Sequence, residues 1–419
     1  MAATAFASSQ AHNVGMSSRT STPRRAAVAP IDPLAQPTPL LGGLSPQAFM
    51  RRHWQKKPLL IRQAVPGVQP PVSRAELFAL AAQDDVESRL IVRQPGQRGA
   101  KGKALAAQAP DWRLKRGPVA RRSLPPLSQP GWTVLVQGLD LHVPAAHELL
   151  QRFRFVPDAR LDDLMISYAT DTGGVGPHYD SYDVFLLQVS GRRRWRIAPL
   201  KDRTLEPDVP LKILRHFTPT EEWVLEAGDM LYLPPGWAHD GAAEGDDCMT
   251  CSVGFRVPEA TGLSRELLLR WADELEPPER PRLYRDPAQP ATATPARIPD
   301  GLQTFAQEAI SRLLIDPQGL MSALGEVLTE PKPSVWFQGG SALADGDGVR
   351  LDPKTRMMYD DARVFANGES WRAAGKDARV LQTLADQRQL TPLAVSRASP
   401  AVRELLTQWA LDGWLHPWR

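Results

Sequence analysis

The feature that most constrains the fold is a succession of short β-rich segments in the middle of the chain. Each segment is rich in β-branched, aromatic or aliphatic residues and is bounded by glycine or proline turns. Strands so short and so closely spaced are typical of an all-β barrel or jelly roll, in which alternate residues face the interior. We expect six strands here, at 164–170, 184–189, 193–198, 223–226, 230–233 and 250–256.

Helical patterns flank this region and divide the chain. A hairpin-like pair, 356–359 with 363–366, lies among the last helices and suggests a winged-helix shape. The predicted fold class is therefore α+β, with a disordered leader over 1–33, a barrel domain over 34–258, a helical segment over 259–330 and a winged-helix-like domain over 331–419. The helices are expected at 45–55, 74–83, 145–153, 262–276, 302–326, 378–386 and 401–409.

Composition excludes several classes of protein. The 419 residues carry 50 Lys plus Arg against 47 Asp plus Glu, so net charge does not indicate a polyanion-binding chain. The last module, 331–419, holds 12 basic and 10 acidic residues, which argues against a DNA reader. Two cysteines cannot form a disulfide framework, and no apolar run is long enough to span a membrane. We expect a cytoplasmic protein.

Two basic segments allow more than one interpretation. Residues 1–30 contain three arginines and no acid, which is compatible with an organellar transit peptide, a disordered leader or an upstream start codon. Residues 96–117 form a basic loop, which is either solvated or faces ribosomal RNA.

Three residues have the spacing of a metal site. His178 and Asp180 are two residues apart, so on a strand both side chains share one face, which in a small barrel can be the interior. His239 follows a strand and a Pro-Pro-Gly turn. Two imidazoles and one carboxylate are the facial triad that holds non-haem Fe(II) and leaves positions open for a chelating cosubstrate and O₂. The alternative is that each histidine is simply exposed or hydrogen-bonded.

The arginine run 192–196 gives a second clue. Arg193 shares a strand face with Trp195 and Ile197, which marks that face as buried. A buried guanidinium needs an anion, and the distal carboxylate of 2-oxoglutarate would serve. A structural pairing with a buried acid remains the alternative, and a register shift of one residue would transfer the argument to Arg192 or Arg194. Ser167, on the preceding strand, is a further cosubstrate candidate or an ordinary strand hydroxyl.

Cys248 and Cys251 form a CxxC motif that is a poor metal or redox site. The motif has no second pair, and residues three apart on a strand point to opposite faces. Two core thiols are expected. By the same spacing, Asp183 points away from Asp180 and is not the preferred ligand.

These residues resemble a known family. The stretches MISYATDTGGVGPHYDSYDVFLLQVSGRRRWRI, LEAGDMLYLPPGWAHDG and CSVGFR are similar to those of the bacterial cupin-like Jumonji-C ribosomal oxygenases that hydroxylate arginine. The resemblance implies a double-stranded β-helix, Fe(II) held by His178, Asp180 and His239, and 2-oxoglutarate anchored by Arg193. It also implies a helical dimerisation segment and a winged-helix-like domain. Family members hydroxylate the β-carbon of an arginine in a large-subunit ribosomal protein, whereas eukaryotic relatives modify histidine.

An arginine substrate needs an acidic or aromatic receptor, and Asp171 and Tyr182 are the candidates, with solvated turn residues as the alternative. The expected function is thus protein hydroxylation with Fe(II), 2-oxoglutarate and O₂, with no catalytic side chain beyond the metal centre. Three alternatives stand beside it: a histidine-directed ribosomal oxygenase, a cupin metalloenzyme that does not use 2-oxoglutarate, and a non-catalytic ribosome- or nucleic-acid-binding module. We expect a homodimer that contacts no membrane and does not bind nucleic acid directly.

Overall fold

The computed structural model describes most of the chain: residues 32–94, 111–273, 279, 282–288, 290–291, 296–314 and 317–418. The leader expected over 1–33 lies outside these ranges apart from Asp32 and Pro33, and so does most of the basic segment. Its end, Asp111–Arg116, is a strand, so the prediction of a loop through residue 117 was wrong there. Trp112 is buried in an apolar cluster with Ile91, which explains the strand.

An antiparallel β-sheet forms the core of the first domain, as expected for a jelly roll. Its main path runs β1, β9, β7, β10, β5, β4, β2, β3, with β6 paired to β10 and β8 paired to β7. The strands are β1 Leu59–Ile61, β2 Ser88–Gln94, β3 Asp111–Arg116, β4 Trp132–Val136, β5 Leu161–Ala169, β6 His178–Tyr179, β7 Val184–Pro199, β8 Glu221–Leu225, β9 Met230–Leu233 and β10 Trp237–Phe255.

The long strands β7 and β10 differ from the expectation. Residues 184–189 and 193–198 were predicted as two strands separated by a turn at Ser190-Gly191, but β7 runs through both. The register between β7 and β10 shifts between Glu244 and Met249, opposite this point, and Gly191 adopts a positive φ of 62°. The Ser190-Gly191 pair therefore marks an irregularity within one strand rather than a chain reversal.

Helices cover one side of the barrel and bury an aromatic core. The first, α1 (Pro46–Arg52), begins at Ser45, whose hydroxyl accepts a hydrogen bond from the N–H of Ala48. Its buried Phe49 contacts the ring of Tyr232 in β9, with centroids 4.9 Å apart. This core closes one side of the sheet. Two further helices, α2 Arg74–Leu80 and α3 Pro144–Gln151, complete the layer.

The second half of the described chain begins with helices. The single helix predicted over 302–326 is two, and Pro317 begins the second, as proline prefers the first turn of a helix. These helices are α4 Ala260–Asp273, α5 Asp300–Leu314 and α6 Pro317–Thr329. None of the helices in the described ranges is both long and apolar enough to cross a bilayer.

The C-terminal domain contains the expected hairpin, with a third strand added. Strands 357–359 and 363–366 pair antiparallel, and 369–372 extends the small sheet. A second three-stranded sheet joins 348–351 to the end of the chain. The elements are β11 Gly348–Leu351, β12 Met357–Tyr359, β13 Arg363–Ala366, β14 Glu369–Arg372, α7 Gly375–Gln387, β15 Gln389–Leu390, α8 Pro392–Ser396, α9 Pro400–Leu411 and β16 Leu415–Trp418.

Candidate metal centre and cosubstrate pocket

The structure brings His178, Asp180 and His239 together. Strand β6 pairs with β10 in a register that sets His178 opposite His239, with ring centroids 4.2 Å apart. The carboxylate Oδ2 of Asp180 lies 3.6 Å from Nε2 of His239. One potential ligand atom from each residue lies within 4.8 Å of the others, and no other group of this kind occurs in the described ranges.

Both histidine rings are oriented by backbone carbonyls. Nδ1 of His178 lies 2.8 Å from the carbonyl oxygen of Gly176, and Nδ1 of His239 lies 3.1 Å from that of Trp237. Each Nδ1–H donates a hydrogen bond to its carbonyl oxygen, so the lone pair of Nε2 is free to bind a metal ion. Histidine metal ligands are held in this way, with one nitrogen hydrogen-bonded and the other presented to the ion.

The surroundings keep the imidazole of His239 neutral. The residue is buried, and this burial, followed by repulsion from His178, lowers its pKa to about 4 against the opposing attraction of Asp180. A neutral imidazole is the form that binds a metal. Two imidazoles with free Nε2 atoms and one carboxylate therefore fit the Fe(II) ion that was expected from the sequence.

Arg193 is the buried arginine of its run. It is 4% exposed, whereas Arg192 and Arg194 are exposed, so the alternation predicted from the sequence holds. Its terminal nitrogens donate to the Gly241 carbonyl oxygen at 3.3 Å and to Ser167 Oγ at 3.5 Å. Nε has no partner, and within the described chain no carboxylate forms an ion pair with this guanidinium.

A buried guanidinium without a counter-ion indicates the place of an anion. The structural pairing considered as an alternative for Arg193 is not found, so its charge is left for a ligand. Arg193, Ser167 and the three candidate metal ligands line one pocket of about 1640 Å³ that opens to solvent. Thr250 and Ser252 add hydroxyls to its wall. The arrangement can hold a dicarboxylate that reaches from Arg193 to the metal position.

The two substrate candidates occupy different places. Tyr182 lines the pocket, where burial and then the charge of Asp180 raise the pKa of its phenol. Asp171 is exposed, and its Oδ1 accepts a 2.8 Å hydrogen bond from the N–H of Gly245. Its carboxylate holds a surface turn and is not among the described residues that line this pocket, so its substrate role stays a prediction.

Sequence reasoning missed a buried carboxylate, Asp163. It lines the same pocket, is 3% exposed and accepts two hydrogen bonds, of 3.0 and 2.9 Å, from Nε2 of Gln137. Residues 163, 165 and 167 share a face of β5, but the strand predicted from the sequence began at residue 164, so Asp163 lay outside it. Asp163 places a buried carboxylate in the wall of the pocket.

The remaining residues singled out in the sequence are structural. Cys248 and Cys251 are buried and free, and they contribute to different apolar clusters, as expected for opposite faces of a strand. Asp183 is fully buried, where it accepts a 2.6 Å hydrogen bond from the hydroxyl of Tyr232. His416 Nε2 contacts the carboxylate of Asp352 at 2.7 Å.

Two family models match the chain. A JmjC domain matches residues 148–263, and a ROXA-like winged helix matches residues 312–416. These matches agree with the predicted fold class, a jelly-roll core followed by a winged-helix-like domain.

Curated relatives and solved structures extend over most of the chain. The ribosomal protein uL16 3-hydroxylase of Escherichia coli is 34% identical over 358 residues, covering 82% of this chain and 89% of its own. A probable ribosomal oxygenase of Haemophilus influenzae is 37% identical, covering 88% and 96%. The structure of YcfD, a ribosomal oxygenase from Escherichia coli, in complex with cobalt and 2-oxoglutarate superimposes with a TM-score of 0.70 at 28% identity, covering 89% and 98%. The chain belongs to the JmjC ribosomal oxygenase family.

Proposed function

We propose that this protein is an Fe(II)- and 2-oxoglutarate-dependent hydroxylase that modifies the β-carbon of an arginine in the large-subunit ribosomal protein uL16. The observation that carries the proposal is the combination of three potential metal ligands with the unpaired guanidinium of Arg193 in one pocket. The relative in Escherichia coli is a uL16 3-hydroxylase, and its C3 position is the β-carbon.

The protein side chains have distinct tasks in this reaction. When bound at His178, Asp180 and His239, Fe(II) supplies the oxidising chemistry of 2-oxoglutarate-dependent oxygenases, in which the cosubstrate is converted to succinate and CO₂. Arg193 binds the distal carboxylate of the cosubstrate, and Ser167 orients the guanidinium. Met165 and Trp195 contribute apolar surface to the wall of the pocket.

The pocket favours an arginine over a histidine target. Asp163 offers a buried carboxylate, which matches a guanidinium fork in charge and geometry, and Tyr182 offers an aromatic face. Asp162 and Asp163 share the ammonium group of Lys332, so a guanidinium would bring further positive charge to this wall, whereas a neutral imidazole would bring none. The histidine-directed alternative is therefore less compatible with this wall.

The test uses the purified chain with Fe(II), 2-oxoglutarate, O₂ and recombinant uL16. We expect succinate to form in proportion to substrate, and intact mass to show one added oxygen that fragmentation places on an arginine β-carbon. A uL16 variant with lysine at that arginine is the matched control and should not be oxidised. Succinate formation at the same rate without uL16, or an added oxygen on a histidine, would contradict the assignment of an arginine of uL16 as the substrate.

Further parts of the proposal concern assembly and location. The large apolar side chains Leu268 and Leu269 of α4 are more than half exposed, and Ile310 of α5 is 58% exposed. We assign these helices to a homodimer interface in which a second copy covers them. The proposed domain limits stay at 34–258, 259–330 and 331–419. Both cysteines are free and buried, which is compatible with a reducing cytoplasm.

A further inference from the structure

A lysine from the C-terminal half of the chain, Lys332, pairs with Asp163 in the wall of the substrate pocket. Lys332 lies at the start of the C-terminal domain, just after α6, and its Nζ contacts Oδ2 of Asp163 at 2.7 Å and Oδ1 of Asp162 at 3.2 Å. Asp163 lines the catalytic pocket on one side. On its other side is a solvent-open cavity between the two domains, which both Asp163 and Lys332 line. The lysine thus approaches the carboxylate from behind the pocket.

The ion pair is held firmly from both sides. Pro331 and Pro333 flank Lys332 and restrict its backbone, and the carbonyl oxygen of Lys332 accepts a 2.9 Å hydrogen bond from the N–H of Val335. Burial opposes the charge on the ammonium group, but Asp163 and Asp162 outweigh it and raise the pKa of Lys332. Lys332 therefore remains charged where it meets the carboxylates.

The position of the Asp163 carboxylate depends on the positive charge of Lys332. Asp162 is its neighbour in sequence, and the carboxyl of Asp140 is close enough to interact with Asp163 electrostatically. Three clustered acids repel one another, and a buried carboxylate that loses its cation is left with an uncompensated charge and reorients. Gln137 contacts both oxygens of Asp163, so the lysine and the amide together fix the orientation of the carboxylate.

We infer that Lys332 is a positioning residue through which the C-terminal segment completes the substrate pocket, holding the carboxylate of Asp163 oriented to receive the arginine guanidinium. This inference rests on the proposed function. It predicts that the C-terminal domain acts on the affinity for the arginine substrate and leaves the binding of 2-oxoglutarate unaffected.

The test compares Lys332→Met, Lys332→Arg and the control Lys354→Met in the full-length chain. Lys354 lines the same cavity, but its Nζ donates to the carbonyl oxygen of Trp336. We expect K332M to raise the KM for a uL16 peptide by about tenfold, the cost of a lost charge-assisted contact. The kcat and the KM for 2-oxoglutarate should stay within about twofold, since neither depends on Asp163. K332R should restore the peptide KM, and K354M should match the parent chain.

Two outcomes would overturn the inference. An unchanged or lower peptide KM in K332M would mean that the lysine is a bystander or a competitor of the substrate. If K332M does not fold, Asp163→Asn with Lys332→Met removes both charges and should restore folding. In that background the peptide KM should equal that of Asp163→Asn alone, because Lys332 acts through Asp163, and a further rise would contradict this. Absence of uL16-dependent succinate in the parent chain would instead sink the proposed function.

Discussion

Nη2 of Arg193 donates a hydrogen bond to Oγ of Ser167 at 3.5 Å, which connects β7 to β5 inside the pocket. The bond is long, and Nε of the same guanidinium has no partner among the residues that the structure describes. A serine and one carbonyl oxygen do not neutralise a buried cation, so the contact orients the group for an anion. The cosubstrate site is in this sense prepared before the cosubstrate arrives.

Replacing Arg193 should weaken 2-oxoglutarate binding selectively. Arg193→Lys keeps the charge but loses the bidentate fork, and Arg193→Met loses both. We expect the KM for 2-oxoglutarate to rise about 10-fold in the first and about 100-fold in the second, as charge-assisted hydrogen bonds are removed. Succinate formation at varied 2-oxoglutarate measures this. The exposed neighbour variant Arg192→Lys is the control, and an equal effect there would place the site elsewhere.

Removing one candidate ligand should abolish metal binding together with turnover. His178→Ala leaves two donors of three, so we expect the purified variant to hold no stoichiometric Fe(II) and to form no succinate in response to uL16. Elemental analysis of metal content checks the first result independently of the second. His216→Ala, an exposed histidine, should behave as the parent chain. Full metal content in His178→Ala would remove that residue from the site.

Much of the site could be predicted because its signals are local in sequence. His178 and Asp180 share a face by their spacing, and the alternation of Arg193 with Trp195 separates one buried arginine from exposed neighbours. The jelly-roll class followed from the short, punctuated strands. The spans of β5 and β9 were predicted to within about three residues at their ends, as is usual for element boundaries.

The errors have physical causes that act over longer distances. The Ser190-Gly191 pair reads locally as a turn, but pairing with β10 keeps β7 continuous. No local pattern indicates that the carboxylate of Asp171 accepts a hydrogen bond from the N–H of Gly245, 74 positions away. The contact of Lys332 with Asp163 joins residues 169 positions apart. No local pattern predicts such a pair, because it depends on how two domains meet.

The carboxyl of Asp140 should make stability depend on pH. Burial, and then the charge of Asp163, raises its pKa from 3.8 to about 7, while the N–H of Leu164 and the charge of Lys332 act in the opposite direction. The charges of Arg356 and Arg388 also interact with this carboxyl, and His147 interacts with the backbone of Asp140. Because its folded pKa is raised, the folded state holds more protons than the unfolded state between about pH 4 and pH 7. The contribution of Asp140 to the free energy of unfolding therefore falls as pH rises through that window.

Asp140→Asn should remove this penalty and keep the acceptor for the Leu164 N–H. We expect the variant to match the parent chain near pH 4 and to be more stable near pH 8, by a difference on the order of 4 kcal/mol for a three-unit shift. Urea unfolding at several pH values measures it. A difference between the two proteins that is constant across pH would mean that Asp140 does not titrate in the folded state.

The exposed apolar side chains of α4 provide the test of the proposed dimer. Leu268 and Leu269 are 55% and 56% exposed, so in a monomer their apolar side chains would contribute little hydrophobic stabilisation. Leu268→Glu with Leu269→Glu places charges where a second copy would bury them, and should convert the dimer to a monomer because an unpaired buried charge is costly. Sedimentation equilibrium measures the mass. Leu393→Glu, on α8 of the C-terminal domain and 57% exposed, is the matched control and should leave the mass unchanged. The metal and cosubstrate residues lie in the barrel, so the monomeric variant should retain its Fe(II). A parent chain that sediments as a monomer would contradict the proposed dimer.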